Sequence, residues 1–250
     1  MSQELEGQVA VVTGAARNIG RAIAVELAGA GARIVVNAAS SAAEAAETVA
    51  IIRRGGGEAM VHLADVTDPA ACNGLMTATA AAFGGIDILV NNAAIRREAA
   101  FAELTYTKWR EVTSVILDGA FLCAHAALPY LTHSAAGSII NIGGMSAHNG
   151  SAGRAHVIAA KAGLVGLTRA LAYDLAEYAI TANCVVPGLI DTVRANAAGG
   201  EPEHHKRAKT LLGRRGTAGE IASLVCFLAG PKARYITGQT IHANGGAFLT

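Results

Sequence analysis

The stretch from Val9 to Gly20, VAVVTGAARNIG, constrains this chain more than any other. Its valine-rich run breaks at Thr13-Gly14, and apolar residues resume at Arg21-Ala22-Ile23-Ala24 with helical rather than alternating spacing, the pattern of a buried strand turning into a helix. Gly14 lets the backbone bend and come close, and Gly20 lets the helix pack tightly on the strand. The helix N-terminus then offers unpaired N–H groups and the positive end of its dipole to a pyrophosphate. Such a turn is a dinucleotide cradle only if the rest of the chain supplies a sheet around it, since an ordinary strand-to-helix turn reads the same way.

The rest of the chain supplies that sheet. Arg33 to Asn37 reads as a second strand, and the Ala- and Glu-rich segment from Ser41 to Arg54 as its helix, ended by Gly55-Gly56-Gly57. A third strand covers Ala59 to Leu63. Asp68-Pro69 starts a helix that runs to Phe83, and Ile86 to Asn91 is a fourth, wholly apolar-flanked strand. Two long helical stretches follow, Thr105 to about Leu131 and Gly153 to Tyr178, with the strand Ser138 to Ile142 between them. Ile180 to Val186 and Gly238 to Ile241 bring the strands to about seven. Apolar strands alternating with helices predict a doubly wound α/β Rossmann domain over 1–250, its parallel sheet covered on both faces. Ligands in such sheets bind beyond the carboxyl ends of the strands.

Composition narrows the partners. With 250 residues and 52% hydrophobic content the chain can bury a large core as one domain. A formal net charge of +1, without a long basic run, argues against nucleic acid and anionic membrane surfaces and leaves small-molecule substrates open. Cys72, Cys123, Cys184 and Cys226 are scattered without ligand spacing, which predicts buried free thiols, a reducing cytoplasmic setting and no metal. The opening MSQELEGQVA lacks the basic flank and apolar core of a signal peptide, and no uninterrupted apolar run reaches about 18 residues.

The motifs together resemble the short-chain dehydrogenase/reductase family, in particular the branch containing the 3-oxoacyl-carrier-protein reductases. They run almost end to end: TGAARNIG from Thr13, Asp65-Val66, Asn91-Asn92-Ala93, SIINI from Ser138, Lys161-Ala162-Gly163, PGLIDT from Pro187 and TGQTIHANGG from Thr237. The resemblance implies a cofactor site formed by Gly14, Arg17, Asn18, Ile19, Gly20, Asp65, Val66, Asn92, Ala93, Lys161, Pro187, Gly188, Ile190 and Thr192. In that site Asp65 accepts from the adenine amino group, Val66 lies beneath the ring, and Thr192 meets the nicotinamide carboxamide; the bland reading of Asp65 is a helix cap. Asn91 and Asn92 are placed to hold neighbouring strand ends. Asn18 stands where the family's loop has a glycine, a mild change because Asn tolerates left-handed backbone angles.

Cofactor choice follows from charge. An acidic residue ending the second strand would hold both ribose hydroxyls and repel a 2′-phosphate, and Ala38 stands there instead. Arg17, with Ser40 and Ser41, is placed to contact that phosphate, so NADP(H) is favoured over NAD(H).

The resemblance fails at the chemistry. The family's Tyr, four residues before the Lys, is Val157; its Ser, thirteen before that Tyr, is Gly144; and its helix-interrupting Asn is Ile116. Only Lys161 remains. Tyr173 is twelve residues beyond Lys161, about 18 Å along a helix, and too far to substitute. The segment Gly143 to His156 offers Ser146, His148, Arg154 and His156 as replacements: a His donates a proton near neutral pH, and an Arg binds an oxyanion or carboxylate. Loop hydrogen bonding, capping and surface placement are the competing readings for these residues.

The leading expectation is an NADP(H)-binding oxidoreductase acting on a small carbonyl or alcohol, with Lys161, Ser146, His148 and His156 as the catalytic set. The alternatives are a non-redox lyase, isomerase or hydratase on the same scaffold, and a catalytically silent cofactor-binding subunit. The segment from about 192 to 216, with His204-His205, matches the family's substrate lid. The two long Ala-rich helices resemble its paired-helix surface, which implies a homotetramer or homodimer.

Overall fold

Val9–Val12 is buried at every position and forms β1 at the centre of a sheet. In the computed structural model, residues 3–192 and 210–250 are described. Six further strands flank it: β2 (Arg33–Ala38), β3 (Ala59–Leu63), β4 (Ile88–Asn91), β5 (Ser138–Ile142), β6 (Thr181–Pro187) and β7 (Thr240–Ala243). Their order is β3-β2-β1-β4-β5-β6-β7, with every pairing parallel. Val11 sits opposite Val35 on one side and Leu89 on the other. The chain therefore leaves β1 in one direction for β2 and β3, then crosses back to β4. That reversal is the switch point of a Rossmann-like sheet, where the strand ends diverge and a crevice opens.

Helices cover both faces. On one face α1 (Asn18–Gly29), α2 (Ala42–Arg54) and α8 (Ala218–Ala229) bury Ile23, Leu27, Val49, Ile52, Val225 and Leu228 against Val12, Val36 and Val90. On the other, α3 (Pro69–Phe83) and α5 (Gly119–Leu131) pack Leu75, Met76, Ala127 and Leu131 on Val11, Leu89 and Ile139. A third apolar cluster, Val112, Ile116, Ala120, Val157, Ala160 and Leu164, joins α4 (Tyr106–Thr113) and its continuation to α7 (Ala155–Asp174). A short helix, α6 (Ser146–Asn149), lies between β5 and α7.

Local chemistry sets most boundaries. Asp68 accepts from Ala70 N–H at 2.8 Å with Pro69 at the first helical position, so α3 starts where the sequence predicts. The expected helix over 105–131 is interrupted: α4 gives way to a π-helical turn at Ser114–Asp118 before α5. The stretch expected to begin at Gly153 begins at Ala155, because Gly153 has φ +70°. Likewise β7 starts at Thr240 rather than Gly238, which turns at φ +70°. Helix α8 has no counterpart among the elements expected from the sequence. It is capped by a reciprocal pair, Thr217 Oγ1 accepting from Glu220 N–H and Glu220 Oε2 from Thr217 N–H. Of the four cysteines expected to be buried, Cys226 is only half-buried.

Candidate active site

A cleft of about 550 Å³ opens along the carboxyl ends of β1 to β6. Its floor at β1 is the Gly14–Gly20 turn. Gly14 has φ +61°, and a Cβ there would lie 2.9 Å from Ala93 Cα. A Cβ on Gly20 would lie 2.4 Å from Gly14 O, closer than real Cβ contacts come. At these two positions the turn is closed too tightly for a side chain, so main chain alone faces the cleft there. Asn18, at φ +51°, takes the left-handed conformation expected of it.

Side chains behind the turn hold it in place. Asn92 Nδ2 donates to Thr13 O and Gly14 O, both at 2.9 Å, and Thr13 Oγ1 accepts from the N–H groups of Asn92 and Ala93. Arg21 reaches back to Ala16 O, and Thr48 Oγ1 to Ala15 O and Ala16 O, so α2 braces the loop. Asn91 Nδ2 donates to Asn141 Oδ1 at 2.9 Å, joining β4 to β5. Both asparagines thus tie strand ends together.

On the β2–β3 side the cleft is lined by Ala38, Ala39, Ser41, Asp65 and Val66. Asp65 Oδ1 accepts from Thr67 N–H and Oγ1 at 2.9 Å, which fixes the carboxylate at the edge of the cleft. Arg17 lines the same region and pairs with Glu44 at 3.3 Å; both side chains are nearly half exposed, so the pair is weak and open to exchange. Ser40 is not among the lining residues.

On the β4–β6 side stand Lys161, Gly144, Ser146, Arg96, Arg154 and Val157, with Pro187, Gly188 and Ile190 beyond. Lys161 is buried, and its Nζ donates to Ile142 O at the end of β5. Burial lowers its pKa to about 8, the positive charges of Arg96 and Arg154 adding to the effect and Cys184 opposing it. Gly144 is open: a Cβ there would meet only Lys161 Cγ, at 3.9 Å. Val157 and Ile116 are buried in one apolar cluster at the back of this end.

The structure brings together most of the residues that the sequence singles out. Gly14, Arg17, Asn18, Ile19, Gly20, Asp65, Val66, Asn92, Ala93, Lys161, Pro187, Gly188 and Ile190 all line the cleft, with Ser146. Thr192, the last described residue before 193, does not line it. Two expected catalytic residues also lie elsewhere. His148 turns away from the cleft into a ring cluster, 4.5 Å from His242 and 5.9 Å from Phe248 by centroid, and burial lowers its pKa. His156 is fully buried, and neither ring nitrogen has a hydrogen-bond partner among the described residues. Both sit one helical face away from the wall that carries Ser146, Val157 and Lys161. Most of the expected lid, including His204 and His205, lies outside the described residues. Arg96, not among the residues expected from the sequence, also lines the cleft and is signalled by its place just beyond the Asn91-Asn92-Ala93 strand end.

The comparisons agree with this architecture. A family model described as Enoyl-(Acyl carrier protein) reductase matches residues 14–247. The chain is 39% identical, over 98% of its length and 99% of the relative's, to the 3-oxoacyl-[acyl-carrier-protein] reductase FabG of Vibrio cholerae. It is 38% identical to that of Escherichia coli over 98% of both. A short-chain dehydrogenase from Burkholderia cenocepacia, crystallised with NADP, superposes with a TM-score of 0.90 at 37% identity, covering 98% of this chain and 99% of that one. A dehydrogenase/reductase from Sinorhizobium meliloti gives 0.93 at 36% identity, covering 99% and 98%. Similarity of sequence and of fold, both end to end, means that this chain belongs to the short-chain dehydrogenase/reductase family of oxidoreductases.

Proposed function

We propose that this chain is an NADP(H)-dependent oxidoreductase of a small carbonyl or alcohol compound, with Lys161 supplying the proton in place of the missing phenol. The observation that carries this reading is the cleft itself: a tight turn, with no room for a side chain at Gly14 and Gly20, and a buried, titratable lysine share one crevice at the sheet's switch point. The turn fits a pyrophosphate, with Arg17, Asn18, Ile19 and Gly20 at the α1 N-terminus. Asp65 and Val66 would hold the adenine, Asn92 and Ala93 the middle of the dinucleotide, and Lys161 the nicotinamide ribose. Pro187, Gly188 and Ile190 would hold the carboxamide. When bound, the nicotinamide carries the hydride to or from the substrate carbon.

The other steps belong to the protein. Ile142 O orients Lys161, whose pKa of about 8 keeps it mostly protonated at neutral pH yet able to release that proton to a substrate oxygen. Ser146 is the hydroxyl donor on the same wall. Ala38, Ser41 and Arg17 favour NADP(H), as does the bound NADP in the Burkholderia relative. We assign residues 192–216 to a substrate lid, the whole chain to one cytoplasmic domain, and the two long helices to a homo-oligomer interface.

The test is calorimetric titration with NADPH and NADH. NADPH is expected to bind at least tenfold tighter, and Arg17→Ala to weaken NADPH alone; equal loss for both nucleotides would sink the phosphate assignment. Val157 and Ile116 favour a second reading, a non-redox lyase, isomerase or hydratase, or a silent subunit, because neither carries a proton. Oxidation of NADPH by the isolated chain with any small carbonyl excludes it.

A further inference from the structure

The charged residues that line the cleft are Arg17, Asp65, Arg96, Arg154 and Lys161. Sheet order separates them. Arg17 and Asp65 follow β1 and β3, on one side of the switch point; Arg96 follows β4, while Arg154 and Lys161 follow β5 on the other. The far end therefore collects three cations, and among the described residues no carboxylate lines it there. Its remaining walls include Ile95, Val115, Ile116 and Val157. Apolar walls strengthen the interactions of a charge they enclose, as at the buried Lys161, while Arg154 is half-buried and Arg96 exposed to an incoming ligand. Both arginines line the same end of the cleft as the buried lysine, and their positive charges add to the lowering of its pKa.

The same end lacks a hydroxyl pair to hold a substrate carbonyl, since Gly144 and Val157 stand at those positions. A substrate there needs another anchor. Guanidinium groups match a carboxylate with two parallel hydrogen bonds, and each has five donors, so it can keep a protein partner while taking a ligand. We propose that Arg154 and Arg96 form an anion subsite and that the substrate is a small oxo or hydroxy acid, held by its carboxylate with its carbonyl or hydroxyl carbon towards Lys161. This rests on the proposed redox reading for the substrate's second group, but the anion subsite stands or falls by itself.

The test uses the full chain with and without NADPH. Pyruvate, levulinate and benzoylformate are titrated by calorimetry, each beside its methyl ester, and NADPH oxidation is followed in parallel. At least one acid is expected to bind tenfold or more tightly than its ester, the scale of a charge-assisted hydrogen bond. Arg154→Gln and Arg96→Gln should erase that preference, raising Kd and KM for the acid tenfold or more while leaving ester and NADPH binding unchanged. Arg154→Lys, which keeps the charge but loses the fork, should fall between. Acids that bind no better than esters or not at all, or variants that weaken acid and ester alike, overturn the subsite. Acids that bind without oxidising NADPH uphold it and remove the redox reading instead.

Discussion

At the scale of the residue, Lys161 carries the clearest pH signature. Burial lowers its pKa from the ordinary 10.5 to about 8, so between those values the unfolded chain holds a proton that the folded protein has released. Stability therefore rises with pH across that window, and the cost of burying the charge is fully present below about 8. A gap of this size corresponds to about 3 kcal/mol. Lys161→Met removes the titration. Urea unfolding should find the variant more stable than wild type near neutral pH, with the difference shrinking as pH rises from 8 to 10.5; a pH-independent difference would refute the assignment. The glycine turn was readable in sequence because it directly follows a strand, and Lys161 and Asp65 because they fall in motifs that carry the family resemblance. His148 and His156 do not line the cleft, because spacing places a residue near the site without saying which way its side chain points. Two residues of α6 and α7, Ser146 and Val157, reach the cleft, while their neighbours two and one positions away turn into the ring cluster and the core.

At the scale of the element, α8 shows what periodicity alone leaves out. Its sequence AGEIASLVCFLA is almost wholly apolar, yet Thr217 three residues before Glu220 is a capping-box signature that marks its start. Arg214 reinforces it: its guanidinium and the Thr217 N–H hold the Glu220 carboxyl down at about 2. α8 packs along α1, the helix that opens at the glycine turn, and Ser223 Oγ donates to Glu26 at 3.2 Å. Thr217→Ala should lower Tm by about 3 °C, the expected loss of one N-cap in a domain of this size. An unchanged Tm would mean that packing on α1 alone sets the helix start. The π-helical turn at Ser114–Asp118 is the converse case. Sequence marked its position, because Ile116 stands where the resemblance calls for an interrupting Asn, but the interruption persists without that amide. Ile116 is instead anchored in the apolar cluster with Val157 and Leu164.

At the scale of the molecule, the two long helices carry more apolar surface than one sheet can cover. Tyr106–Leu131 and Ala155–Asp174 are long and apolar enough by composition to cross a membrane, yet they lie against the core with 50% and 39% of their most apolar windows buried. Tyr106, Phe121 and Tyr173 remain 77%, 51% and 88% exposed. Large exposed aromatic rings on apolar helices are a common mark of an interface, and a second copy of the chain is the proposed partner. None of these three rings lines the cleft. Assembly and nucleotide binding should therefore separate. Light scattering should give a mass that is a multiple of 25.3 kDa, and Phe121→Glu should shift it towards the single chain. NADPH affinity should stay within about twofold, because no lining residue comes from the helix face that is disrupted. A wild-type mass of one chain would remove the interface. A Phe121→Glu variant that dissociates and loses NADPH together would mean that the α5 packing behind Val115 and Ile116 depends on the neighbouring copy, and that the cleft takes its shape only in the assembled protein.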